Sequence, residues 1–97
     1  MSIFKLSNRA EHDLLDIFVF GIEKFGLIQA QIYGQELSNC FEIIAQNPKL
    51  GREAKTIALG VRRHEHKSHI ILYEEMEFGV LILAIVHKRN IVNLRLE

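Results

Sequence analysis

The run Val80-Leu-Ile-Leu-Ala-Ile-Val86 decides the fold of this 97-residue chain. It is far shorter than the roughly 20 apolar residues that a membrane-spanning helix needs. As a strand, with no polar alternation, it reads as a central strand covered on both faces. Working back along the chain, Glu77-Phe78-Gly79 supplies a turn, and residues 68–73 carry Ile70, Ile71, Leu72 and Tyr73 as a partner strand. Residues 61–66 are polar and basic, which suits an edge strand. Residues 49–59, with Gly51 and Gly60 near their ends, read as a long loop.

The amino-terminal half changes period. After a short apolar alternation, Ile3-Phe-Lys-Leu6, Ser7 or Asn8 is placed to cap a helix. Glu11 follows Asn8 at the three-residue spacing of a capping box. Leu14, Phe18, Ile22 and Phe25 recur at helical spacing as one apolar stripe expected to be buried, and Gly26 is the expected stop. A second helix runs from about Leu27 to Gln46, with Ala30, Tyr33, Leu37, Phe41 and Ile44 on its apolar face. Asn47-Pro48 ends it, because the residue before proline is pushed out of helical geometry. So short a connection forces the two helices into an antiparallel hairpin. The order is β-αα-βββ, a single α+β domain over residues 1–97 with the hairpin packed on a mainly antiparallel sheet.

Composition narrows the function classes. Hydrophobic residues make up 48% and charged residues 25%, the balance of a folded globular chain. Met1-Ser-Ile-Phe-Lys5 has no secretory pattern, and the single cysteine, Cys40, excludes an internal disulfide framework. A cytoplasmic location and no membrane association are expected. Net charge is zero: residues 1–50 hold four Lys/Arg against six Asp/Glu, and residues 51–97 hold eight against six. A chain living mainly by phosphate contacts carries a clearer positive excess, so non-specific nucleic-acid binding is not the first reading.

Several segments, taken in order, resemble the ParE branch of the RelE/ParE superfamily. They are Leu6-Ser7-Asn8-Arg9-Ala10-Glu11-His12-Asp13-Leu14, Asn47-Pro48-Lys49-Leu50-Gly51-Arg52 and Gly60-Val61-Arg62-Arg63. Ser68-His69-Ile70-Ile71-Leu72-Tyr73 and Ile85-Val86-His87-Lys88-Arg89 complete the set, which covers nearly the whole chain. The resemblance implies a toxin held by a ParD-like antitoxin in a hetero-oligomer and, when free, a poison of DNA gyrase, with no cofactor and no catalytic residues of its own. RelE-type relatives instead cut ribosome-bound messenger RNA with basic residues and a carboxy-terminal tyrosine. Aligned with that pattern, Arg89 matches a catalytic arginine, Glu65 falls where another is expected, and Arg95 falls where the tyrosine is expected. An acid in place of a phosphate clamp would repel the substrate, so the nuclease constellation is broken.

The second reading remains an endonuclease using Arg89, His87 and Lys88. A third is a degraded toxin kept as a co-repressor with its antitoxin. Target binding is assigned to Arg62, His87, Lys88, Arg89 and Arg95; the antitoxin-binding residues are not specified. Arg62 and Arg63 alternate to opposite faces of their strand. His64, His66 and His69 lack the companions of a zinc site and read as surface strand residues; His87 reads as an end-of-strand histidine making one backbone hydrogen bond. Cys40, Tyr33 and Phe41 read as core. In the tail, Ile91, Leu94 and Leu96 are expected to supply packing against the domain.

Overall fold

The computed structural model describes residues 3–92 and 94. Its elements in chain order are β1 (Ile3–Leu6), α1 (Asn8–Phe25), α2 (Leu27–Gln46), β2 (Arg52–Glu53), β3 (Val61–His66), β4 (His69–Met76) and β5 (Gly79–His87), followed by a 3-10 turn over Lys88–Asn90. The five strands form one sheet in the order β1-β5-β4-β3-β2. Only β1–β5 is parallel; the other three pairings are antiparallel. The fold is α+β, two helices packed on a mixed sheet.

The apolar run occupies β5, flanked by β1 and β4, and its side chains do enter two cores. On the helical side, Leu37, Phe41 and Ile44 of α2 pack with Ala10, Ile71, Tyr73, Val80, Ile82 and Ile85. On the other side, Ala54, Val61, Ile70, Leu72, Ala84 and Val86 are covered by Ile57, Ala58, Ile91 and Leu94. Each large aliphatic so buried contributes about 1.5–3 kcal/mol before the entropy of ordering is set against it. The packing expected of the tail is thus seen for Ile91 and Leu94, while Leu96 lies outside the described residues.

A break in strand pairing locks α1 to the sheet. Leu72 pairs with Ala84 but Tyr73 pairs with Ile82, so Leu83 is an extra residue on β5. A bulge of this kind leaves backbone groups without ladder partners. Ser7 and Asp13 supply them: the Ser7 hydroxyl donates to the Leu83 carbonyl at 2.8 Å, and the Ile85 N–H donates to the Asp13 carboxylate at 3.0 Å. The same Ser7 oxygen accepts from the Ala10 N–H at 3.0 Å, making Ser7 the helix cap. That corrects the capping box expected from Asn8 and Glu11, since the box needs its acid three residues beyond the true cap, where Ala10 stands.

Two further expectations change. The stripe on α1 is buried only in its first half: Leu14 and Ile17 pack on the core, Phe18 is half-buried, and Ile22 and Phe25 face solvent. The reason is geometric, because α1 runs past the end of the surface it packs on. The loop at 49–59 contains β2, which pairs Arg52 with Arg63 and Glu53 with Arg62, so the first part of β3 is not an edge. Only the part from His64 to His66 has an unpaired outer side among the described strands.

Tyr73 explains why the chain turns as it does after α2. Its side chain is fully buried, and its hydroxyl donates to the Pro48 carbonyl at 2.8 Å and accepts from the Gly51 N–H at 2.7 Å. The Arg62 guanidinium adds a 2.7 Å bond to the Gly51 carbonyl. A Cβ on Gly51 would lie 2.6 Å from both the Tyr73 hydroxyl and the Arg63 carbonyl, so the position takes only glycine without rearrangement.

Candidate functional site

Three surfaces carry features the core does not need. The first is the helical hairpin and the place where it meets β1. An apolar groove of about 420 Å³ is lined by Leu14, Leu15 and Phe18 of α1, Ala30 and Gly34 of α2, and Leu6, with Glu11 as its charged member. Gly21 lets the helices approach, since a side chain there would press on the Ala30 Cβ at 3.3 Å. Beyond the groove, Phe20 at 59%, Phe25 at 65% and Ile28 at 72% exposure leave large apolar side chains in water. Large apolar side chains left in water make this face a candidate interaction surface.

The second is the corner of the sheet formed by β2, β3 and, across β4, the turn that follows β5. Arg52 and Arg63 each place Nη2 on Glu65 Oε1, at 2.8 and 3.3 Å, and Lys88 Nζ lies 3.5 Å from Oε2. Partial burial raises the Glu65 pKa, but the hydrogen bond from Lys88 and the charges of Arg52 and Arg63 outweigh it and hold the carboxyl below its ordinary range. Glu65 is therefore the hub of the cationic corner. The acid read from the sequence as repelling phosphate thus stands among three cations. Lys88 and Arg89 are both exposed, and the Arg89 backbone N–H donates to His87 Nδ1 at 3.2 Å. His87 thus makes the one backbone bond expected of it. Arg62 does not join this group: it pairs across from Tyr73 on the helical face of the sheet, whereas Arg63 and Glu65 point to the other face, and its guanidinium is engaged by Gly51. Arg95 lies outside the described residues.

The third is a histidine cluster under α2. His66, His69 and His87 share the helical face of the sheet by register. The Tyr33 hydroxyl lies 2.6 Å from His69 Nδ1, the His69 and His87 rings meet edge to face at 5.5 Å, and Glu36 binds both His66 Nε2 and Lys67 Nζ at 2.9 Å. His64, His66 and His69 are half-buried, not the surface strand residues expected, and α2 reaches the β3–β4 turn through Tyr33 and Glu36. Among the described residues, no three His, Cys, Asp or Glu side chains are gathered to hold a metal ion. Tyr33 is at the rim of the core and not inside it, whereas Phe41 is fully buried. Cys40 is buried, and burial pushes its thiol up, away from a reactive thiolate.

Burial, then the neighbouring His87 and His66, lowers the pKa of His69, and burial also lowers that of His64. Unfolded, each would take up its proton near 6.5. Their contribution to stability is therefore complete above that pH and is lost as pH falls through the lower folded-state values. Urea-unfolding midpoints should be level just above neutrality and fall as pH drops below about 6.5, before the carboxylates titrate. A midpoint that rises over this interval would contradict the assignment.

The arrangement matches proteins of known fold. In the solved chromosomal ParDE TA system from P. aeruginosa, one chain superposes with a TM-score of 0.76, covering 90% of this chain and 96% of that one at 20% identity. The architecture is thus that of a toxin–antitoxin structure, a likeness of fold. Residues 4–92 match the family described as ParE toxin of type II toxin-antitoxin system, parDE. Toxin ParE1 of Caulobacter vibrioides is 33% identical over 88 residues, 91% of each chain, and Toxin ParE1 of Mycobacterium tuberculosis is 29% identical over 89 residues, again 91% of each. The chain belongs to the ParE toxin family. Among the described residues, no helix is long and apolar enough to cross a membrane.

Proposed function

We propose that this toxin is held inactive by a ParD-like antitoxin and, when free in the cytoplasm, stops replication by binding DNA gyrase, without catalysis of its own. The observation that carries binding over cleavage is the state of the cationic corner. RNA cleavage needs a base to activate the 2′-hydroxyl and free cations to hold developing charge. Here the cations are present but the base is not: Glu65 is held as their ion-pair partner, and His87 Nδ1 already accepts from Arg89.

The antitoxin's place is the hairpin groove, filled by the apolar face of an amphipathic segment. Target binding falls to the sheet end with His87, Lys88 and Arg89, where Arg95 follows in sequence; Arg62 is left with a structural role. The two surfaces use different chemistry, so they separate genetically. Leu15→Glu should weaken antitoxin binding by about tenfold or more while leaving growth arrest, because Leu15 is exposed and its replacement puts a charge on an apolar contact. Lys88→Glu with Arg89→Glu should abolish arrest and leave the fold intact, since exposed charges add little stability. Pulse labelling after induction tests the whole reading: DNA synthesis should stop before protein synthesis. Protein synthesis stopping first would favour the endonuclease.

A further inference from the structure

We propose that the sheet face opposite the helices carries a binding site for a nucleic-acid phosphodiester, formed by Arg52, Arg63 and Lys88, with Glu65 as its resident counter-ion. The inference does not depend on gyrase being the target. Among the described residues, no other carboxylate has three cationic partners; Glu36, the next, has His66 and Lys67. The donors come from three separate segments and converge on two oxygens: both arginines on Oε1 and the lysine on Oε2. A phosphodiester presents the same object, two anionic oxygens on one centre, and guanidinium forks fit either.

Two features separate this corner from an ordinary surface ion pair. One carboxylate cannot neutralise three cations, and exposed Arg89 follows Lys88 directly, so the corner stays positive with Glu65 in place. Arg63 Nε is buried and has no acceptor among the described residues. A buried donor left unpaired is costly, so a rearrangement of Glu65 that admits a ligand oxygen to it is favoured. The chain's net charge of zero hides the pattern, because acids collect at the other end of the sheet: Glu74, Glu75 and Glu77 surround the β4–β5 turn. Charge of opposite sign at the two ends orients an anionic strand towards the corner. Glu65 then sets affinity: it occupies the ligand's place and has to swing aside when phosphate binds.

The test uses the full chain, purified free of partner, and a labelled single-stranded DNA of about 12 nucleotides, read by fluorescence anisotropy. RNA of the same sequence forms a second arm. Binding should be weak and salt-dependent, with a slope near that of about two neutralised phosphates. Glu65→Gln should tighten it about tenfold, by removing a unit charge from beside the phosphate. Adding Arg52→Gln and Lys88→Gln should abolish that gain, whereas adding Lys24→Gln, on α1, should not. RNA should bind within about tenfold of DNA, since the contacts are to phosphate. Should Glu65→Gln fail to fold, the Arg52→Gln/Lys88→Gln pair in the parent chain decides, and must lose at least about tenfold. Unchanged or weaker binding by a folded Glu65→Gln, a gain that survives loss of Arg52 and Lys88, or a larger difference between DNA and RNA would overturn the proposal.

Discussion

Gly79→Ala is expected to detach β1 and to cost about 4 kcal/mol or more, most of the stability of a small domain. Gly79 opens β5 at φ 144°, a backbone conformation that L-residues rarely adopt. It stands directly across from Ile3, and an added Cβ would lie 1.9 Å from the Ile3 carbonyl oxygen and 2.9 Å from its carbonyl carbon. Those are backbone atoms, so no rotamer change relieves the clash. Either the whole parallel register from Ile3 to Leu6 shifts or β1 lifts away. Lifting it uncovers Phe4 and Leu6, which pack on the helical-side core, Phe4 with its ring 5.4 Å from that of Phe41. Denaturant titration checks this; a loss under about 1 kcal/mol would show that the edge can relax, contrary to the geometry.

Tyr73→Phe is expected to cost about 2–4 kcal/mol, although it removes a single oxygen. The hydroxyl is the hydrogen-bond partner of two backbone groups at once, and it sits in a fully buried side chain. Without it, the Gly51 N–H is left in a buried glycine with no replacement, and the Pro48 carbonyl loses its donor. The loop from Pro48 to Gly51 should loosen first, and with it β2, which begins at Arg52. Gly51→Ala attacks the same node from the other side, so the double variant should cost much less than the sum of the two singles. Additive losses in that cycle would mean that the loop is held by something other than this hydroxyl.

The contrast between these two residues shows what a sequence makes legible. The apolar run at Val80, the period change at the helices and the stop at Asn47-Pro48 are local signals, and they are enough for the α+β class and for the order of every element but β2. The family resemblance rested on ordered motifs, and the fold now gives one of them a physical meaning: the Pro48-to-Gly51 turn is the one Tyr73 pins. What stayed hidden is non-local. A two-residue strand such as β2 has no periodicity to detect. The same holds for Asp13 bonding to Ile85, for Tyr33 reaching His69, and for three segments meeting at Glu65. Periodicity also shows that α1 has an apolar stripe but not what covers it. The exposure of Ile22 and Phe25 separates the part covered by this chain from the part it leaves in solvent.

Purified gyrase gives the most direct measurement of the central claim. The chain, added to gyrase with relaxed plasmid and ATP, should block supercoiling in proportion to its concentration. Its own ParD-like antitoxin should relieve the block, and Lys88→Glu/Arg89→Glu should be without effect on the enzyme. Supercoiling that proceeds unhindered at saturating toxin, with message cut on added ribosomes instead, would contradict the account.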